Sequence, residues 1–60
     1  MVPYQQKMSA GTLIAAVASS TDWSQVANWV YNNAQYLNSM GYSTQGALTT
    51  LKRWWNGSQQ

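Results

Sequence analysis

The stretch DWSQVANWVYNNAQYLNSMG, residues 22–41, decides how the chain is read. Trp23, Ala27, Val30, Ala34 and Leu37 follow one another at spacings of 4, 3, 4 and 3. That is a heptad-like apolar seam, and it predicts a helix over residues 23–40. Val26, Trp29, Tyr36 and Met40 widen the seam, while Gln25, Asn28, Asn32, Gln35 and Ser39 make an opposite face that is polar but carries no charge. Asp22 stands where an N-cap belongs, with Gln25 three residues later in the capping-box position. Its carboxylate also suits the positive end of the helix dipole. Gly41 is placed to supply the left-handed residue that ends a helix.

Working outward, residues 8–20 (MSAGTLIAAVASS) read as a first helix. Ala is frequent and β-branched residues are too sparse for a strand. Gly11, Ala15 and Ser19 recur four apart on one face, a spacing that lets another helix backbone approach closely. Two readings follow: a short Ala-rich core helix, or a helix packed against a neighbouring subunit. A third helix is expected over 44–55, with Ser43 as N-cap and a stripe of Ala47, Leu48, Leu51, Trp54 and Trp55. Lys52 and Arg53 fall in its last turn, where cations favour the negative dipole end, and Asn56 and Gly57 are expected to stop it. Residues 1–7 read as an arm, because Pro3 denies Val2 the helical region. The fold class is therefore all-α: one domain of two to three short helices joined by short loops, a hairpin or bundle completed by neighbouring subunits.

Composition explains why neighbours enter. A chain of 60 residues buries only about 60% of the surface it exposes when unfolded. Small domains compensate with disulfides, metals or oligomerisation, and this chain has no Cys and no His. The charged residues are Lys7, Asp22, Lys52 and Arg53, against roughly a quarter of residues in an ordinary domain. A surface of Asn, Gln, Ser and Thr lacks the like-charge repulsion that keeps copies apart. Four Trp and four Tyr add the amphipathic area found at interfaces. The run 8–20 is too short to span a bilayer, so membrane contact is the less favoured expectation.

Chemistry is limited by the same counts. General acid–base catalysis needs an imidazole, paired carboxylates or a shifted Lys, and nucleophilic catalysis needs a base beside the nucleophile. With one carboxylate side chain and no His, no enzyme, cofactor or metal is expected. LKRWWNG, residues 51–57, is the one basic and aromatic cluster. It reads either as a nucleic-acid contact, with Lys52 and Arg53 on phosphate and Lys7 as a third cation, or as a helix end with two core Trp. Asn56-Gly57-Ser58 matches the N-glycosylation acceptor pattern, a three-residue match that also arises by chance.

Two resemblances attach to these residues. SMGYS, residues 39–43, resembles the Met-Gly-Phe/Tyr loop of ubiquitin-associated domains over residues 36–51, and is read here as an ordinary helix stop. More broadly, Gly11, Ala15 and Ser19, the Trp23 to Leu37 seam and the Lys52–Arg53 pair resemble small all-helical coat subunits of rod-shaped, bacilliform or filamentous viruses, especially archaeal ones. That resemblance is one of type and composition. It implies a homo-oligomeric lattice around a nucleic-acid genome, with Gly11, Ala15, Ser19, Trp23, Ala27, Val30, Ala34 and Leu37 packing subunit against subunit, and a location in a virion or outside the cell, with the cytoplasm as alternative. The chain departs from filamentous bacteriophage coats, which have an acidic N-terminal part and a longer apolar span. The rival expectations are a secreted membrane-active peptide of the leaderless bacteriocin kind and a small helix-turn-helix DNA-binding protein. The first lacks a Lys-rich polar face here, and the second has only Gln45, Lys52 and Arg53 to read DNA.

Overall fold

The structure, a computed structural model, describes residues 8–58. The described residues contain no strand and form four helices: α1 Ala10–Val17, α2 Trp23–Asn32, α3 Ala34–Ser39 and α4 Thr44–Ser58. The all-α class therefore stands, with one helix more than the periodicity predicts. The expected arm, residues 1–7, lies outside the described residues.

α1 is shorter than the expected 8–20. Ser9 caps it, its hydroxyl accepting from the Thr12 N–H at 3.1 Å. After Val17 the chain reads ASSTD, whose hydroxyl and carboxylate side chains compete with the helix for backbone groups. Asp22 then adopts an extended backbone and caps α2, its carboxylate accepting from the Gln25 N–H at 3.0 Å. Gln25 returns the contact one residue further back than a standard capping box. Its side-chain oxygen accepts from the Thr21 N–H at 2.6 Å.

The expected helix 23–40 is two helices. The break is Asn33, at φ −115° and ψ 21°. Its N–H is shared between the carbonyls of Trp29 and Val30, at 3.0 and 3.2 Å. Its side-chain amide donates to the same Trp29 carbonyl at 2.8 Å. This is the competition of a short polar side chain with the helical ladder, and it bends the chain without losing the seam. Val30 before the break and Leu37 after it are both fully buried. α3 ends in a Schellman motif. Gly41 takes φ 94°, the Gly41 N–H donates to Asn38 O, and the Tyr42 N–H donates to Leu37 O at 2.9 Å. Tyr42 and Leu37, the motif's hydrophobic pair, both enter the core.

α4 packs against each of the other three helices. The core comprises Met8, Leu13, Val17, Val26, Val30, Leu37, Tyr42, Ala47 and Leu51, and among the described residues no buried side-chain polar atom lacks a partner. Met8 ties the segment before α1 to the C-cap of α3, its N–H donating to the Met40 carbonyl at 2.9 Å.

Asp22 gives the fold a pH dependence. The Ser24 hydroxyl and then the Gln25 N–H bond its ionised form and lower its pKa below the ordinary 3.8. A lowered folded-state pKa adds stability above the unfolded value and loses it as pH falls through the folded one. Acidification from pH 6 to below about 4 should therefore lower the melting temperature of the parent more than that of Asp22→Asn, which keeps a neutral cap. Thermal melts of both proteins across that range are the check; parallel curves would remove the cap from the account.

Candidate nucleic-acid and assembly surface

The residues expected to pack subunits divide into three groups. Val30 and Leu37 are fully buried within the chain's own core and leave no surface for a neighbour. Reading them as contacts between copies is corrected here: α4, lying over α2 and α3, takes that face first. Trp23, Ala27 and Ala34 are half-buried along the same side. Gly11 and Ala15 are exposed, because α1 turns Leu13 and Val17 inward and its small residues outward; Ser19 is exposed too, but in the turn after α1 and not on the helix face expected to carry it. Ala16 and Ala18 are exposed beside them.

α4 carries the basic pair, and it runs further than expected. Asn56 and Gly57 do not stop it; both are helical, and the Ser58 hydroxyl donates to the Trp54 carbonyl at 2.8 Å. Lys52 and Arg53 therefore sit more than a turn before the helix end, not in the last turn. Their role as dipole cations weakens accordingly, since that effect is confined to the terminal turn. Both side chains are exposed. Asn56 is also exposed, on helix and not in the expected tail. Lys7, the third expected cation, lies outside the described residues.

The tryptophans have other partners. Trp23 and Trp55 meet edge to face at 6.2 Å between ring centroids, and Trp54 meets Trp55 at 5.7 Å. All three are half-buried against the core. They tie the start of α2 to the end of α4, so these two helices run antiparallel.

Between α2 and α4 lies an open groove of about 220 Å³. Trp23, Ala27 and Tyr31 line it from α2, and Gln45, Thr49 and Lys52 from α4. A second concavity, at the Asn33 break, shares Tyr31 and includes Asn32, Gln35 and Tyr36. Among the described residues Tyr31 and Tyr36 are the exposed large hydrophobics, at 60% and 49%. Sequence reading did not single out Tyr31. The available signal was its place three residues after Asn28 and four before Gln35, an aromatic at the border of a polar face. The surface of the two concavities thus offers one cation, Lys52, with exposed aromatic rings and several amides, which can hold an anion and a planar ring. It has no acid–base pair. Comparison with protein-family models, curated proteins and solved structures returned no match for the chain.

Proposed function

We propose that this chain is a structural subunit that assembles with copies of itself and coats a nucleic acid, as a virion coat protein does in a helical lattice. The observation that carries the reading is the outward face of α1, where Gly11 and Ala15 are exposed, with Ser19 exposed in the turn just after it. Small side chains let a second helix backbone come close, and no charge on that face opposes it. Neighbouring subunits would then complete the bundle by covering this face. Lys52 and Arg53, both exposed, supply the phosphate contacts. A formal net charge of +2 matches about two phosphates per subunit. One copy would hold nucleic acid weakly; an array of copies accumulates the contacts.

The test compares the parent with Ala15→Leu and with the double variant Lys52→Gln/Arg53→Gln. Light scattering over a concentration series should show the parent growing into large assemblies. Ala15→Leu should keep the parent's circular dichroism, since Ala15 is exposed within the chain. Its assembly should fail, because overpacking a close contact costs about 1–3 kcal/mol. The double variant should assemble empty, with weaker and less salt-dependent retention of nucleic acid. A parent that stays monomeric at high concentration overturns the assembly reading. A double variant that retains nucleic acid as the parent does removes the basic pair from the coating role.

A further inference from the structure

We propose that the α2–α4 groove holds an unpaired nucleobase stacked on Tyr31, with Lys52 on an adjoining phosphate. The inference rests on the nucleic-acid half of the reading above and narrows its ligand to single-stranded DNA or RNA. Tyr31 stands 60% exposed, yet it lines a concavity on each side. An aromatic face open to solvent and bordered by grooves is a stacking platform for a base of any identity. Because α2 and α4 are antiparallel, Tyr31 lies toward Gln45, and Lys52 toward Trp23. Gln45 and Lys52 are two turns apart on α4, about 10 Å. That separation puts a phosphate at one end of the groove and a base at the other. Asn32 and Gln35, in the second concavity with Tyr36, present amide donors and acceptors of the kind that bond base edges.

Charge argues for this occupant over a second copy of the chain. Lys52 lines the groove, and no acidic side chain does. Asp22 is the one acidic side chain in the sequence, and it is already engaged by the Ser24 hydroxyl and the Gln25 N–H. Both bonds fall on Oδ1, so another copy can bring at most this one carboxylate to Lys52, whereas a nucleic-acid strand brings a phosphate at every step. Duplex fits less well, because its bases are already stacked on one another and offer no free face to Tyr31.

The experiment measures anisotropy of a labelled oligo-dT and of a duplex of equal length, with the parent, Tyr31→Ala, Tyr31→Phe and Lys52→Gln. Tyr31→Ala should weaken oligo-dT binding roughly five- to hundred-and-fifty-fold, the range that loss of one base–aromatic stack produces, with its salt slope unchanged. Tyr31→Phe should bind as the parent, and Lys52→Gln should lower the salt slope by about one. Duplex binding should be unaffected by either Tyr31 change. Oligo-dT binding by Tyr31→Ala at the parent's affinity overturns the inference, as does equal weakening of oligo-dT and duplex. Loss of self-assembly by Tyr31→Ala in the absence of nucleic acid also overturns it, in favour of a second copy in the groove. If the parent binds neither oligonucleotide, the nucleic-acid reading itself fails; if it binds both and Tyr31→Ala changes nothing, only this inference fails. Tyr31 makes no buried contribution to the core, and circular dichroism of each variant verifies its fold.

Discussion

Replacing Leu37 by Ala should lower the melting temperature by about 20 °C or abolish folding. Leu37 is fully buried, where Leu→Ala costs about 2–5 kcal/mol through lost transfer energy and the cavity left behind. A chain of this length has about 3–9 kcal/mol in total, so the substitution removes much of what holds the fold. The position also organises the chain locally. The Leu37 carbonyl accepts from the Tyr42 N–H, and the two side chains form the hydrophobic pair of the turn at Gly41. A cavity there loosens the turn that delivers the chain from α3 to α4. Leu37→Met, close in volume, should cost less than about 1.5 kcal/mol. Thermal and urea melts followed by circular dichroism compare the two. Equal stability of Leu37→Ala and the parent would mean that the side chain is not in the core.

Trp55→Ala should cost about 2–4 kcal/mol, the second largest effect expected of a single change. Full burial would put the loss near 3–5 kcal/mol; Trp55 is only half-buried, which lowers the packing part. Against that, the variant loses two edge-to-face contacts, with Trp23 and Trp54, each worth about 0.5–1.5 kcal/mol. The contact with Trp23 joins the start of α2 to the end of α4, so the last turns of α4 should fray. Near-ultraviolet circular dichroism reports the coupled indoles directly and should lose most of its intensity. Trp55→Phe keeps a ring at the site and should recover part of the stability. A parent-like near-ultraviolet spectrum for Trp55→Ala would show that the indoles do not pack together in solution.

How much of this was legible beforehand varies from element to element. The period of 3.5 in residues 22–41 determined the helical class and the inward residues Val26, Val30 and Leu37, because burial of one helical face follows spacing alone. The caps were equally legible. Asp22 bonds the Gln25 N–H, and Gly41 takes the positive φ that its place implied, since both are local backbone chemistry.

Other features needed the assembled chain. Apolar periodicity passes through Asn33 unbroken, so it cannot report a break made when a side-chain amide turns back on the Trp29 carbonyl. Propensity predicts a helix end at Asn56 and Gly57, but it is a weak term; α4 continues while its Trp54 and Trp55 remain packed. Most of all, spacing shows which residues share a face but not what that face meets. Leu13 and Val17 go inward and Gly11 and Ala15 go outward only because α4 occupies one side of α1. Tyr31 became part of a groove only when α4 brought Gln45 and Lys52 alongside it. The sequence by itself determined the helical class, the caps at Asp22 and Gly41 and the inward places of Val26, Val30 and Leu37, because these depend on neighbours along the chain. Tertiary structure decided which surfaces stay open, because exposure depends on residues far apart in sequence that meet only when the helices pack.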